Sequence, residues 1–228
     1  NVFIIAPAHY ADYRGIALPT YDFFETPLGN IRVNKELINE ISQQESTEFL
    51  DEAYAQEHAI EVELPFVQKL LPEANIVPLL FENINPKTIT AVIEKYWDNK
   101  ENAFVISSDL SHFYSQKDAQ KIDEYTAEMI ENQNIADFHS IQACGSSGII
   151  GLVQFAKNKD FSLIRTELTT SGEISGPDAS VVGYGAWILA EKTKSLFIKE
   201  QFSELVLSIC RDSIHAGIHT CLLYTSDA

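Results

Sequence analysis

Residues 2–10 read VFIIAPAHY, an apolar run that ends in proline, histidine and tyrosine. Continuous apolar character without alternation is typical of a β-strand that is covered on both faces. Three further runs share it, at residues 75–81 (NIVPLLF), 103–108 (AFVISS) and 180–187 (SVVGYGAW). The sequence therefore predicts a sheet whose strands are buried between layers of helices.

Four segments between these runs are predicted to be helical: residues 34–44, 86–97, 116–132 and 145–157. Pro86 is well placed to open the second helix, and Ile89 and Ile93 lie on one face of it. The last segment is rich in small apolar residues and is expected to pack on the sheet. Strands that alternate with helices predict an α/β fold with a mixed or mostly parallel central sheet flanked by helices.

The composition excludes several classes of protein. With 33 acidic and 16 basic residues the net charge is −17, and such a surface repels the phosphates of nucleic acids. Hydrophobic residues make up 45% of the 228, enough for a packed core, but no stretch is long enough for a membrane helix. The cysteines at positions 144, 210 and 221 are too few and scattered for a disulfide framework, so we expect a cytoplasmic protein.

Two of the predicted strands end in a polar cluster that contains histidine. His9 follows the first strand, and the segment SSDLSH at 107–112, with Asp109 and His112, follows the strand that begins at residue 103. Ligands bind beyond the carboxyl ends of strands in α/β sheets, so these imidazoles suit a metal or an acid–base site in one crevice. The alternative is that each histidine makes an ordinary hydrogen bond within its loop.

A third cluster, EHAIEVELP, occupies residues 57–65. If it is helical, Glu57 and Glu61 share a face and His58 adjoins Glu61. Such carboxylates could orient a metal-bound imidazole, act as a general base or bind a metal. The alternative is a solvated acidic turn of helix.

Cys144 directly precedes a Gly-Ser-Ser-Gly stretch and a predicted helix. A thiol at a helix N-terminus has a lowered pKa, which favours a thiolate that binds metal or acts as a nucleophile. The alternative is a buried cysteine that only packs. The glycine-rich stretch lacks the Lys-Ser/Thr ending of a P-loop, so phosphate binding is weakly supported.

Taken in order, these clusters resemble the Memo family, in particular the AmmeMemoRadiSam system protein B type. That family is related in fold to the class III (LigB-type) extradiol dioxygenases. The matching segments are FIIAPAHY (3–10), ETPLGNIRVN (25–34), QEHAIEVELPF (56–66), VISSDLSHF (105–113), ACG (143–145) and SGEISGPDASVVGYGA (171–186). We therefore predict a Memo-like domain over residues 1–192.

The resemblance implies a pocket of two histidines and one cysteine that binds iron or copper. His9 matches the second histidine and Cys144 matches the cysteine, whereas Asp109, His112 and His58 match other residues that line the pocket. The first histidine belongs to a Pro-His-Ala-Gly-Tyr-type segment upstream of FIIAPAHY. This chain contains no such segment, so we expect that its N-terminal segment is missing and that metal binding is weakened.

The leading functional hypothesis is a metal-dependent oxidoreductase of dioxygenase-like descent, with an unknown small-molecule or peptide substrate. His9 and Cys144 would bind the metal, and His112, held by Asp109, would be the acid–base or orienting group. His58 with Glu57 or Glu61 would shape the substrate side. Zinc would fit the same ligands and would imply hydrolysis instead. The alternative function is a non-catalytic adaptor whose pocket binds a peptide or a small anion.

The C-terminal part carries two further predictions. Residues 196–220 resemble the start of an AMMECR-type domain, which some Memo proteins carry fused behind them. Members of the family also occur in a gene system with that domain and a radical-SAM protein, and both are expected partners. Residues 221–228 (CLLYTSDA) resemble the translation of a sequencing adapter, so we expect them to be a non-native tail.

Overall fold

The computed structural model describes residues 1–97, 101–136, 138, 142–176 and 180–192. The predicted AMMECR-type segment 196–220 and the predicted tail 221–228 lie outside the described residues. The strands are β1 (Val2–Pro7), β2 (Gly15–Leu18), β3 (Phe23–Thr26), β4 (Gly29–Arg32), β5 (Thr47–Phe49), β6 (Ile76–Glu82), β7 (Ala103–Ile106), β8 (His112–Tyr114), β9 (Phe161–Thr170) and β10 (Val181–Glu191). The helices are α1 (Lys35–Ile41), α2 (Leu64–Leu70), α3 (Pro86–Tyr96), α4 (Gln116–Glu131), α5 (Ser146–Asn158) and α6 (Ser171–Ser175), with 3₁₀ turns at Asp51–Ala53 and Glu61–Glu63.

The central sheet has five strands in the order β5-β2-β6-β1-β7. Strand β1 pairs in parallel with β6 on one side and with β7 on the other, and β2 is parallel to β5 but antiparallel to β6. This arrangement confirms the predicted α/β fold with a mixed sheet. Because β1, β6 and β7 are parallel neighbours, their carboxyl ends lie at the same edge of the sheet.

The apolar run that opens the chain forms the centre of the core. Every residue of β1 is buried, and the ring of Phe3 stacks on that of Phe104 in β7, with centroids 4.7 Å apart. Each large side chain removed from water in this way contributes about 1.5–3 kcal/mol of transfer free energy. Helices α3 and α5 pack closely together, since a Cβ at Gly151 of α5 would lie 2.8 Å from Ile89 of α3.

The predicted strand at 180–187 forms, but it lies outside the central sheet. It is part of β10, which pairs in antiparallel register with β9 and β8 in a three-stranded sheet. Most residues of β10 and β9 are only half-buried, because this sheet packs against α4 and α5 and is less fully covered than the central sheet. The expectation of a strand covered on both faces was therefore wrong for this run.

The four predicted helices are confirmed as α1, α3, α4 and α5, with ends shifted by a few residues. Asn34 and Asn85 cap α1 and α3 through their side-chain oxygens, as expected for residues that precede a helix. No helix in the described part of the chain has the length and hydropathy that crossing a bilayer requires.

Candidate functional site

The polar segments that follow β1 and β7 meet at the carboxyl edge of the central sheet. The amide of Ser107 donates to the carbonyl of Ile5, so β7 stays paired with β1 up to the point where the loop to His112 begins. Cys144 lies beside this loop, because the amide of Asp109 donates to its sulfur over 3.2 Å. The fold therefore brings Cys144 against the loop that follows β7, at the edge of the sheet where β1 also ends.

His9 is held at two points by the buried carboxylate of Glu57. The His9 backbone N–H donates to Oε2 over 2.5 Å, and Nδ1 lies 3.0 Å from Oε1. Interactions with Cys144 and with Glu57 raise the pKa of the His9 imidazole to about 10. Since Glu57 occupies Nδ1, Nε2 is the ring nitrogen left for the sulfur or for a metal ion.

The carboxylate of Glu57 meets four N–H groups. Its Oε1 also accepts the backbone N–H groups of His58 and Ala59, over 2.9 and 3.0 Å. Burial raises the pKa of this carboxyl, but its hydrogen bonds outweigh burial and the net pKa is lowered. Three of its four donors bind Oε1 and one binds Oε2, and the lowered pKa makes the carboxyl a poor proton acceptor, so Glu57 is suited to orient His9.

The condition for Glu57 and Glu61 to share a helical face, that residues 57–61 form a helix, is not met. Residues 57–60 form an irregular turn, a 3₁₀ turn covers Glu61–Glu63, and α2 begins only at Leu64. Glu57 is buried within the turn, whereas Glu61 is exposed to solvent. The turn folds around the Glu57 carboxylate because that group caps the backbone amides at its start.

Cys144 directly precedes Gly145, the N-cap residue of α5. Burial raises the pKa of its thiol, but hydrogen bonds with His9, with the Asp109 amide and with Ser108 outweigh burial and lower it. The Ser108 hydroxyl lies 3.7 Å from the sulfur and accepts the N–H of Gly145 over 2.8 Å. Polar groups that favour a thiolate therefore surround this half-buried, free cysteine.

His112 interacts electrostatically with Cys144. Its Nε2 is 3.6 Å from Oδ2 of Asp109, and the interactions with Asp109 and Cys144 raise the pKa of the imidazole. The next residue, Phe113, has a φ of 63°, which is strained for a bulky side chain, and its ring is exposed. Backbone strain of this kind often occurs at functional sites.

His58 is brought to the site but lies at its rim. Its ring stacks on that of His9 with centroids 5.3 Å apart, and its Nδ1 is 3.6 Å from Oε1 of Glu57. The side chain is 57% exposed. The exposed ring of Tyr10 makes an edge contact with that of His58, with centroids 6.2 Å apart.

Glu63 belongs to the site but was given no role from the sequence. Its Oε1 lies 3.3 Å from the Ser107 hydroxyl, and burial, together with the negative charge of Asp109, raises the pKa of its carboxyl. No spacing rule singles out Glu63 from the other acidic residues of EHAIEVELPF. Only the contact between the 3₁₀ turn and the end of β7 reveals it.

Two arrangements of side chains could hold a metal ion. His9, Glu57 and His58 each offer a ligand atom, and these atoms lie within 4.8 Å of one another. Against that arrangement, Oε1 of Glu57 already meets three N–H groups and Oε2 accepts one more. The second arrangement joins Nε2 of His9 to the sulfur of Cys144, with Glu57 behind the imidazole. A carboxylate that binds the far nitrogen of a metal-bound histidine is a common feature of metal sites, so the residues present fit this second arrangement better.

Residues 1–188 match the family described as Memo-like proteins. The chain belongs to this family. A MEMO1 family protein of Methanobrevibacter smithii is 33% identical over 201 residues, which cover 81% of this chain and 70% of the relative. A MEMO1 family protein of Thermotoga neapolitana is 30% identical over 203 residues, which cover 83% of this chain and 71% of the relative. The family match contains all the site residues described above, so the predicted family is confirmed.

Proposed function

We propose that this Memo-like protein is a metal-dependent oxidoreductase whose metal is iron or copper. The observation that carries the proposal is the buried Glu57 carboxylate on Nδ1 of His9, with the sulfur of Cys144 beside the same ring. Imidazole and thiolate donors together suit iron, copper or zinc. Bound iron or copper would supply one-electron and oxygen chemistry, and bound zinc would supply Lewis-acid chemistry instead.

The protein's own residues would divide the remaining work. Glu57 fixes the ring orientation of His9 at Nδ1, and Nε2 would bind the metal after releasing the proton that the ring holds at neutral pH. His112, next to Asp109, is placed to hold or accept a proton at Nε2 close to the sulfur. His58 and Tyr10 would form the rim that contacts the substrate.

Descent from LigB-type dioxygenases, and partnership with AMMECR-type and radical-SAM proteins, are parts of this proposal that rest on the family resemblance. A reducing cytosol is part of it as well, because Cys144 must remain a free thiol to bind metal. The substrate would be a small molecule or a peptide.

The adaptor alternative is less well supported for an anionic ligand. The segments that build the site, residues 7–13, 56–63, 107–113 and 143–148, contain no lysine or arginine, and they contribute Glu57, Glu63 and Asp109. An anion would therefore meet backbone amides and imidazoles whose positive charge is already balanced by Glu57 and Asp109, with no lysine or arginine beside them. A neutral peptide remains compatible with the exposed aromatic rings of Tyr10 and Phe113.

The deciding experiment measures metal content after separate incubation with iron(II), copper(I) and zinc, followed by gel filtration. The proposal expects retained iron or copper that is lost in Cys144→Ala and kept in Cys210→Ala, a matched removal of a cysteine outside the described residues. Retention of the metal in Cys144→Ala would overturn the site. Retention of zinc alone would overturn the redox assignment, and peptide binding by metal-free protein that retains none of the three would favour the adaptor.

A further inference from the structure

Asp123 is a buried carboxyl group that the proposed function does not use. It lies on α4 and is 1% exposed. The buried polar and charged residues among those described are Glu57, Thr90, Ser111, Asp123, Thr126 and Thr170, so only two carry a carboxyl group. One of these, Glu57, holds His9. The other is Asp123, which accepts a backbone N–H group.

The carboxyl of Asp123 binds the backbone just before His112. Its Oδ1 accepts the N–H of Ser111 over 3.0 Å, in a fully buried contact. The carbonyl of Ser111 accepts the N–H of Gly183 on β10 over 2.8 Å, and the N–H of Leu110 donates to the Gly183 carbonyl over 2.9 Å. Ser111 is thus held from both sides, and His112 is the next residue along the chain.

Gly183 lets the carboxyl reach this position. A Cβ on Gly183 would lie 1.9 Å from Oδ2 and 2.5 Å from Cγ of Asp123. The carboxyl therefore packs directly against the backbone of β10, where only glycine leaves enough room. Helix α4, strand β10 and the loop before β8 meet at this one side chain.

A merely space-filling role does not account for a carboxyl group here. Burial raises the pKa of Asp123, while hydrogen bonds with Ser111 and the charge of His112 act in the opposite direction. Oδ2 has no hydrogen-bond partner among the described residues. Burying such a group without full compensation is unfavourable, so an apolar residue of similar size would serve packing better.

The two histidines beside Cys144 are held in parallel ways. Glu57 accepts the backbone N–H of His9 itself, and Asp123 accepts the N–H one residue before His112. We propose that Asp123 is the positioning residue of His112 and acts through the backbone of Ser111. This inference depends on the proposed function only in treating His112 as a working group of the site.

The test is a nitrogen-15 correlation spectrum of the histidine rings in metal-free protein, so its outcome does not depend on metal binding. Asp123→Ala removes the acceptor and is expected to shift the ring signals of His112 several-fold more than those of His9. Asp123→Asn keeps an acceptor oxygen at the same reach and is expected to restore the wild-type signals. Glu128→Gln, an exposed change on the same helix, controls for the lost charge and is expected to leave both rings unchanged.

Three outcomes would overturn the proposal. The first is that Asp123→Ala leaves the ring signals of His112 unchanged, or shifts them no more than those of His9. The second is that Asp123→Asn shifts the ring signals of His112 as much as Asp123→Ala does. This result would mean that the charge of Asp123, rather than its hydrogen bond to Ser111, affects His112. If Asp123→Ala does not fold, hydrogen exchange in the wild type and in Asp123→Asn decides. We expect the Ser111 amide to be strongly protected in both proteins and His112 to keep its wild-type signals in Asp123→Asn. The third overturning outcome is rapid exchange of the Ser111 amide in the wild type.

Discussion

The carboxylate of Glu57 binds both the backbone and the ring of His9, at 2.5 Å from the amide nitrogen and 3.0 Å from Nδ1. Loop residues that are distant in the sequence thereby fix one imidazole at the carboxyl edge of the sheet. The relationship makes Glu57 the orienting partner of His9, in place of the general base that the sequence also allowed.

The first prediction concerns this pair. Glu57→Gln replaces one acceptor oxygen by an amide N–H₂ group, so His9 loses its defined orientation. We expect metal affinity to fall by about 10–100-fold, as is typical when such a partner is removed. Competition with a coloured chelator measures the affinity, and Glu61→Gln, an exposed neighbour, is expected to bind like the wild type. If Glu57→Gln binds metal as tightly as the wild type, the contact between Glu57 and His9 has a structural role only.

The second prediction concerns the close approach of Gly145 to the end of β7. A Cβ at this position would lie 2.7 Å from the Ser107 carbonyl oxygen and 2.6 Å from Cβ of Ser108. Backbone cannot easily move aside, so Gly145→Ala is expected to lower the free energy of unfolding by about 1–3 kcal/mol. Chemical denaturation measures it. Ser147→Ala, in the same turn of α5, should stay within about 0.5 kcal/mol of the wild type, and an equal loss in both would refute the steric argument.

The third prediction follows from the raised pKa of Glu63. Between the unfolded value of 4.5 and the higher folded value, Glu63 is protonated in the folded state and ionised in the unfolded chain, so stability falls as the pH rises through this window. Glu63→Gln removes this loss. We expect the variant to be more stable than the wild type at pH 7, with the difference vanishing below pH 4.5.

Thermal unfolding of the metal-free protein across this pH range measures the effect, and Glu73→Gln controls for the loss of one exposed carboxylate. A Glu63→Gln variant that is less stable than the wild type at neutral pH would show that the ionised carboxylate is stabilised by contacts with Ser107 and its surroundings, and the assigned sign would be wrong.

The fourth prediction compares two leucines of different burial. Leu79 in β6 is fully buried between β1 and β2, whereas Leu70 at the end of α2 is 50% exposed. Leu79→Ala removes core contacts and leaves a cavity, so we expect a loss of about 2–5 kcal/mol in the free energy of unfolding. Leu70→Ala should cost less than about 1 kcal/mol. Similar values for the two variants would mean that β6 is not in the core.

Much of the fold was predictable because its core elements have strong local signals. The continuous apolar runs at β1 and β6 are buried in a sheet that is covered on both faces, and the four confirmed helices have apolar faces or capping residues. Strand β7 lies at the edge of this sheet and is only half-buried, so the expectation of full cover was wrong for it. The shorter strands β2, β3, β4, β5 and β8 were not predicted, since three or four residues carry too little pattern. Strand β9 was also missed, because polar residues such as Arg165 interrupt its apolar character.

The site was predictable in its residue types but not in its connections. Histidines after strands and a cysteine before a helix have recognisable positions in the sequence, and the imidazoles of His9 and His112 both interact with Cys144. The buried acceptor roles of Glu57 and Asp123, and the position of Glu63, depend on contacts between segments that are 12 to 48 residues apart. A spacing rule on one helix or strand cannot detect such contacts.

The sequence by itself determined the α/β class, the family and the buried runs at β1 and β6, because hydrophobic periodicity and motif order are local properties of the chain. Only the tertiary structure decided which acidic residues are withdrawn from water and which amide groups they accept. In a chain with 33 acidic residues, burial distinguishes Glu57 and Asp123 from the solvated carboxylates, and burial depends on how distant segments pack together.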